Sequence, residues 1–327
     1  MPSKSPNIGF QYINRGYNSV FRQDRLSLGI VVPIEHYPNG PVPSLQDHLQ
    51  RAKLVDELGF KALWLRDIPL NIPSFGDAGQ TFDPFTYLGF LAGQTSEIAL
   101  GISSIALPLH HPLHIAKAAA SIDQLSEGRM ILGVASGDRP LEYPAMGADF
   151  EQRGQRFREA FEYIRKAQEP FPVYASHYGK LAGHGDVLPK PKGSRLPMLL
   201  TGYSQQSLDW NAQHADGWMS YPKAPGLQQE TIAHWRQLVA EQGTYDKPFI
   251  QPLYVVLEED DFKPKPIQLG FRIGIDYLIE YFQLMQEVGV NHIAINLRFN
   301  HQNMEKSLEK LAGKVLPHFH TETENES

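Results

Sequence analysis

The sequence has no cysteine among its 327 residues. A disulfide framework, a thiolate nucleophile and a cysteine-ligated zinc site are therefore excluded. No uninterrupted apolar run reaches the roughly 18 residues that a transmembrane helix needs. The first residues, MPSKSPNIGFQYINRGYNSV, are polar and broken by prolines, unlike a secretory signal. We therefore expect a globular cytoplasmic protein without a membrane partner.

Blocks of basic residues are also missing. Lysine and arginine number 30 against 36 aspartates and glutamates, which gives a net charge of -6. Neutralising the phosphates of a nucleic acid requires clustered cations, so a nucleic-acid partner is not expected.

Glycine-rich nucleotide motifs are absent as well. The turn after the first predicted strand reads EHYPNGPVPS (35–44) and contains no GxGxxG, and no GxxxxGK[ST] occurs anywhere. This argues against a doubly wound open sheet, whose first turn carries such a fingerprint.

What the sequence does contain is a regular alternation of short apolar runs with segments of helical periodicity. The strands are predicted at 26–34, 61–67, 97–107, 129–136, 197–202, 217–221, 250–258 and 291–299. The helices are predicted at 44–60, 84–96, 112–126, 151–169, 204–215, 225–242, 272–288 and 301–316. Eight strand–helix units predict an α/β fold, a (β/α)8 TIM barrel with loop insertions at the C-terminal face.

Three segments follow from this prediction. Residues 1–25 form an N-terminal leader segment, 26–317 form the barrel, and 318–327 form a disordered tail, since HTETENES (320–327) has nothing to bury. The irregular segments 68–83 and 171–195 are expected on the surface, where they could cover a site as lids.

Reactive residues of a barrel lie at the C-terminal ends of its strands. The polar and small residues predicted there are Glu35, His36, Arg66, Asp67, Ser103, Ser104, His110, Gly137, Asp138, Arg139, Gly202, Tyr203, Ser204, Ser220, Tyr221 and Arg298.

The stretch LLTGYSQQSLDW (199–210) is a candidate phosphate site. A strand passes through Gly202 into a helix with Ser204 as its expected N-cap, and exposed N–H groups there attract anions. An ordinary serine-capped helix explains the same residues.

Other chemistries have weaker support. The histidines of HHPLH (110–114) do not share one helix face and lack an HExxH pattern, so no metal is predicted. Residues 133–137 read GVASG and do not fit the GxSxG nucleophile elbow. Paired carboxylates for glycoside cleavage remain an alternative, drawn from Glu35, Asp67, Asp138 and Glu258.

The segment GISSIALPLHHPLHIAKAAASIDQLSEGRMILGVASGD (101–138) resembles the bacterial luciferase-like flavin-dependent oxidoreductases. The family's leucine-proline-x-x-histidine-proline turn matches residues 107–112, its leucine-aspartate-x-leucine-serine-x-glycine-arginine pattern matches 122–129 with isoleucine at 122, and its glycine-rich strand end matches 133–137. Further units fit at 56–67, 215–219 and 288–295. The resemblance covers about residues 26 to 316.

The resemblance implies a barrel that binds FMN, or in some branches F420, at its C-terminal mouth. The flat ring would lie on Ser103, Ser104, Ser136 and Gly137, where small side chains allow close backbone approach. A non-proline cis peptide is implied between Ser103 and Ser104.

The cofactor phosphate is implied at Gly202, Tyr203 and Ser204. Arg153, in FEQRGQRF (150–157), matches an arginine that reaches it, with Arg156 as the alternative; a solvated helix face would equally explain either arginine.

One departure concerns the acid–histidine pair that many relatives carry after the second strand. Here Arg66 and Asp67 occupy that place, so His110 or His36 would have to handle protons, unless Asp67 only pairs with Arg66. The catalytic candidates are therefore His110, Asp67 and Arg298, the last as a binder of an anionic substrate group.

The expected function is an FMN-dependent monooxygenase acting on a small organic substrate, with a separate flavin reductase as a possible partner because no nicotinamide fingerprint is present. An F420-dependent dehydrogenase and a non-catalytic flavin-binding barrel are the alternatives. The resemblance also implies a homodimer that meets through helices two and three.

Overall fold

Eight parallel strands close into a barrel, as predicted. The computed structural model describes residues 8–37, 42–75, 82–243 and 245–320. The strands are β1 (Ser27–Val31), β2 (Ala62–Leu65), β3 (Ala99–Ala106), β4 (Met130–Ala135), β5 (Met198–Thr201), β6 (Gly217–Met219), β7 (Phe249–Leu257) and β8 (His292–Asn296). Each pairs in parallel with the next, β8 pairs with β1, and β6 closes onto β7 through Trp218–Phe249 and Met219–Ile250. The fold class is thereby confirmed.

A helix follows each strand on the outside of the barrel. The helices are α1 (His48–Glu57), α2 (Pro84–Ala92), α3 (Pro112–Leu125), α4 (Arg153–Ala167), α5 (Leu208–His214), α6 (Pro225–Gln242), α7 (Ile275–Glu287) and α8 (Met304–Lys314). Three of them begin at a proline, which suits the first helical turn because that turn has no acceptor for the missing N–H.

The predicted start of α1 at Ser44 is wrong. The N–H and hydroxyl of Ser44 donate hydrogen bonds to the Glu35 carboxylate, so this serine holds the loop after β1. The helix begins only at His48, after Asp47 in a left-handed conformation. Gly59, with a φ of +84°, follows the end of α1 as predicted.

The barrel interior and the N-terminal segment share one apolar cluster. Trp64 fills the interior, and a Cβ on Gly101 would lie 2.3 Å from its ring, which explains the glycine. Helix Arg15–Val20 packs Tyr17 and Val20 into this cluster, and its cap Asn14 donates to Asp123. Residues 8–25 therefore contribute directly to the barrel core.

Strands other than the eight of the barrel form additional pairings. The stretch expected to be irregular (171–195) contains an antiparallel hairpin of Val173–Ser176 and Gly179–Ala182. Strand Gly270–Ile273 pairs with the end of β7. It includes residues 272 and 273, which were predicted to begin the seventh helix. Of the tail predicted to be disordered, Phe319 is buried and His320 accepts a hydrogen bond from the Leu28 N–H; 321–327 lie outside the described residues.

No helix within the described ranges is both long and apolar enough to cross a membrane.

Candidate active site

The ends of β3 and β4 meet in a patch of small residues. The Ser103–Ser104 peptide is cis, as predicted, and the pairing register of the two strands shifts between Ile102 and Ile105. The backbones approach closely, because a Cβ on Gly133 would lie 2.1 Å from the Ile102 carbonyl oxygen. Backbone and small side chains therefore form the surface at these two strand ends.

Tyr143 supports this surface from below. Its ring is fully buried, and its hydroxyl donates a hydrogen bond to the Ser136 carbonyl. Gly137, with a φ of +77°, passes directly over the ring: a Cβ there would lie 2.9 Å from the Tyr143 hydroxyl. Burial raises the pKa of Tyr143, so the hydroxyl remains a donor at neutral pH. Sequence reasoning missed this residue, which lies in a loop without periodicity.

The loop after β5 differs from its prediction. Ser204 does not cap a helix, because its φ is +48° and its hydroxyl donates to the Thr201 carbonyl at 2.8 Å. Helix α5 begins four residues later, and Ser207 caps it by accepting the Trp210 N–H. The prediction that Ser204 caps a helix whose N-terminus attracts the anion is therefore wrong.

The same loop nevertheless offers unused donors. Gly202, Ser204 and Gln205 all have positive φ. Within the described part of the chain nothing accepts a hydrogen bond from the backbone N–H of Tyr203, Ser204 or Gln205. A Cβ on Gly202 would meet no atom within 4 Å. Successive free N–H groups beside open space make an anion-binding concavity.

The start of α4 lies against this loop. Gln206 donates to the Gly154 carbonyl at 2.8 Å, and a Cβ on Gly154 would lie 2.8 Å from the Gln205 Cβ. The Arg153 guanidinium stacks 3.7 Å from the centroid of the Phe150 ring and donates to the Phe150 carbonyl. Arg153 therefore directly precedes Gly154, the residue of α4 that contacts the loop after β5.

Arg156, the alternative phosphate ligand, has a different contact. Its guanidinium donates to His177 Nε2 at 2.6 Å and so holds the hairpin against α4.

His110 and Asp67 form the polar centre of the mouth. Asp67 Oδ2 lies 2.8 Å from His110 Nε2 and also accepts the Ala106 N–H at 3.2 Å. Burial lowers the pKa of His110, but the hydrogen bond and charge of Asp67, with the charges of Asp83 and Glu142, outweigh burial and raise it overall. The suggested ion pair of Asp67 with Arg66 does not form among the described contacts; His110 takes that place.

Arg298 lies on another side of the mouth. Its guanidinium packs 4.7 Å from the centroid of the Tyr37 ring, and its carbonyl accepts the Tyr37 N–H. It follows β8, which is separated from β2 by β1, and it makes no described contact with His110 or Asp67.

A cleft of about 560 Å³ lies beside β1 rather than over β3 and β4. Glu35, His36, Asp47, Arg51 and Glu305 are among its charged and polar lining residues. The ring centroids of His36 and His301 are 4.5 Å apart. Burial and the His301 charge lower the pKa of His36.

His111 has a structural role. Its Nδ1 accepts the Leu113 N–H at 3.2 Å and caps α3, so Nε2 donates to the Tyr178 carbonyl at 2.9 Å. No group of three metal-binding side chains occurs in the described ranges.

Two proteins of similar sequence are named as monooxygenases. The alkanal monooxygenase beta chain of Photorhabdus luminescens is 35% identical over 113 residues, 35% of this chain and 33% of that protein. The 4-hydroxyprotoasukamycin monooxygenase of Streptomyces nodosus subsp. asukaensis is 28% identical over 231 residues, 67% of this chain and 61% of that protein.

Solved structures agree in fold. Monooxygenase RslO1 from Streptomyces bottropensis has a TM-score of 0.76 at 18% identity, covering 89% of this chain and 99% of that one. An F420-dependent secondary alcohol dehydrogenase, solved with an F420–acetone adduct, has a TM-score of 0.74 at 16% identity, covering 90% and 99%. The family model described as luciferase-like monooxygenase matches residues 26–303. The chain therefore belongs to the luciferase-like monooxygenase family, and it is an oxidoreductase.

Proposed function

We propose that the protein is an FMN-dependent monooxygenase that inserts oxygen from O2 into a small organic substrate. The observation that carries this proposal is the surface of backbone and small side chains at the ends of β3 and β4. Ser103, Ser104, Ser136 and Gly137 contribute no bulky side chain to this surface, and Tyr143 packs against Gly137. A planar ring system can rest on such a surface without displacing side chains.

The rest of the mouth fits the remainder of FMN. The three unused N–H groups of residues 203–205 beside Gly202 would hold the phosphate, and Arg153 would add a positive charge. Bound reduced FMN would supply the electrons that activate O2.

The chain's own residues would manage the proton. Asp67 orients His110 through Nε2. His110 Nδ1 has no acceptor in the described part of the chain, so it is the atom from which a proton can pass to the reacting groups. Arg298, which follows β8, would bind an anionic group of the substrate.

An F420-dependent dehydrogenase is the second candidate, because similar folds include F420 enzymes. Titration of the purified protein with FMN, reduced FMN and F420, followed by fluorescence, separates the two. We expect tighter binding of FMN and O2 consumption that depends on reduced FMN and a substrate from an organic panel. Binding of F420 alone would overturn the proposal, and FMN binding without turnover of any substrate would favour a non-catalytic flavin-binding barrel.

Two partners belong to the same proposal. A separate cytoplasmic reductase would supply reduced FMN, since the sequence lacks a GxGxxG fingerprint.

A homodimer would form mainly through α2, which exposes Phe90, because Lys117 and Gln124 of α3 already donate to the carbonyls of Leu188 and Lys190. Light scattering after size exclusion checks this: a dimer that becomes a monomer in Phe90→Glu is expected, and a wild-type monomer contradicts it.

A further inference from the structure

Arg158 lies on the face of α4 that meets the loop after β5. It follows Gly154 by four residues, so the two share one face of the helix. Gly154 contacts the loop directly, because a Cβ there would lie 2.8 Å from the Gln205 Cβ. Arg153, on a neighbouring face of α4, stacks on Phe150. Of these two arginines, Arg158 is therefore the one in line with the loop.

Two contacts hold the Arg158 guanidinium in place. Its Nε donates a hydrogen bond to Gln206 Oε1 at 3.0 Å, and its Cζ lies 5.3 Å from the centroid of the Trp210 ring. Gln206 Nε2 in turn donates to the carbonyls of Gly154, at 2.8 Å, and Ser204, at 3.2 Å. Gln206 thus joins Arg158 to the loop after β5.

The two terminal nitrogens of this guanidinium remain available. Within the described ranges, Arg158 Nη1 and Nη2 make no hydrogen bond or ion pair. The glutamates of the same helix have other contacts: Glu159 accepts the His177 N–H at 3.0 Å, and Glu162 accepts the Tyr174 hydroxyl at 3.0 Å. An arginine that is held in place without a carboxylate partner can bind an external anion through both nitrogens.

The loop supplies a second set of donors. The backbone N–H groups of residues 203–205 are unused and lie beside open space at Gly202. A phosphate monoester carries a charge of about −1.5 to −2 at pH 7 and has three acceptor oxygens, so it can accept from backbone donors and a guanidinium together.

We propose that Arg158 is a phosphate-binding residue, whose Nη1 and Nη2 donate to the same phosphate as the N–H groups of residues 203–205. The inference rests on the proposed function for the identity of the ligand, FMN. The anion site itself is a property of the protein without flavin, and inorganic phosphate is the probe for it.

The test is an NMR titration of the 15N-labelled full chain with inorganic phosphate at constant ionic strength. We expect the amide signals of residues 203–205 and the Nε signal of Arg158 to shift together, with one dissociation constant. Arg158→Gln should weaken phosphate binding about 3- to 10-fold, a modest factor because the side chain is exposed and water screens its charge. Arg22→Gln, at an exposed position before β1, is the matched control with the same change in charge and should bind phosphate as wild type does.

Phosphate affinity that is equal in Arg158→Gln and wild type overturns the proposal, and so does an equal loss in Arg22→Gln, which would be an effect of net charge. Shifts that leave out the amides of residues 203–205 overturn it as well. In fluorescence titrations, Arg158→Gln should lose FMN affinity and keep riboflavin affinity. Phosphate binding that depends on Arg158 in a protein that binds no flavin would support the anion site and contradict the monooxygenase assignment alone.

Discussion

Asp67 and His110 lie on neighbouring loops of the barrel mouth and share a hydrogen bond, with 2.8 Å between Asp67 Oδ2 and His110 Nε2. The sequence departs here from the acid–histidine order of many relatives, yet the fold brings an acid and a histidine together from two strands. The pair that we propose to handle protons thus comes from the loops after β2 and β3 instead of from one loop.

Replacing Asp67 by Asn should lower the pKa of His110, since the largest favourable contribution to the imidazolium disappears. Histidine NMR measures this shift, and Asp67→Glu, which keeps the charge, should restore most of it. A His110 midpoint that is the same in Asp67→Asn and wild type would contradict the role of the pair.

The raised pKa of His110 also links folding to pH. Protonation favours the folded state, so this stabilisation is fully present below the unfolded value of about 6.5 and is lost as pH rises through the higher folded value. Urea unfolding should therefore show a larger loss of stability in Asp67→Asn at pH 6 than at pH 9. Equal losses at the two pH values would argue against this linkage.

The Tyr143 hydroxyl should matter for flavin binding more than for folding. Tyr143→Phe removes one hydrogen bond, to the Ser136 carbonyl, at a cost of about 1 kcal/mol in the free energy of unfolding. Because the freed carbonyl lies in the proposed ring surface, we expect FMN affinity, measured by fluorescence quenching, to fall about 3- to 10-fold.

Tyr174→Phe is the matched control, because that hydroxyl bonds to Glu162 on α4, away from the strand ends. It should leave FMN affinity unchanged. Equal losses of affinity in both variants would mean that Tyr143 acts through general stability alone.

Gly137 and Gly202 provide a second comparison. Both have positive φ, so alanine should cost about 1 kcal/mol at either position through backbone strain. At Gly137 the new Cβ would also lie 2.9 Å from the Tyr143 hydroxyl, whereas at Gly202 it meets open space. Thermal unfolding should therefore show the larger loss for Gly137→Ala, and adding Tyr143→Phe should recover part of it. A larger loss for Gly202→Ala would contradict the packing described here.

The sequence predicted most of the architecture because periodicity and proline positions are local signals. Pro225 and the apolar spacing gave both ends of α6, and strand ends placed Ser103, Ser104, Ser136 and Gly137 at the mouth.

What failed depended on tertiary contacts. Ser44 and Ser204 are good helix caps by composition, but Glu35 binds the first and a left-handed backbone holds the second. Glu142 and Tyr143 are buried loop residues, and no periodic pattern marks them.

His292 makes the barrel interior sensitive to acid. Trp64 Nε1–H donates to His292 Nε2 at 2.8 Å, so the proton of the neutral ring is on Nδ1, which donates to Ser27 Oγ. Burial, with a smaller contribution from His320, lowers the pKa of His292 to about 3. Between that value and about 6.5 the unfolded chain binds more protons, so stability falls as pH falls, by at most about 1.4 kcal/mol per pH unit from this group.

His292→Gln keeps a donor and an acceptor but cannot be charged. Its free energy of unfolding should depend less steeply on pH between 6 and 4 than that of wild type, as measured by urea denaturation. His234→Gln, at an exposed position on α6, should retain the wild-type slope. Parallel curves for wild type and His292→Gln would exclude His292 as the acid-sensitive group.

Arg153 should discriminate FMN from riboflavin. In the proposed site its charge acts on the phosphate alone, and a charge-assisted hydrogen bond contributes about 1.5–3 kcal/mol, so Arg153→Gln should weaken FMN binding about 10- to 100-fold and leave riboflavin binding nearly unchanged. Riboflavin has the same isoalloxazine ring as FMN but lacks the phosphate. A weaker affinity for riboflavin would therefore report an effect of losing the Arg153–Phe150 stacking that does not involve the phosphate. Arg156→Gln is the control, since Arg156 is bonded to His177, and it should affect neither ligand. Equal losses of FMN and riboflavin affinity in Arg153→Gln would contradict the placement of the phosphate beside Arg153 and the loop that follows β5. A selective loss of FMN affinity in Arg156→Gln would contradict it as well.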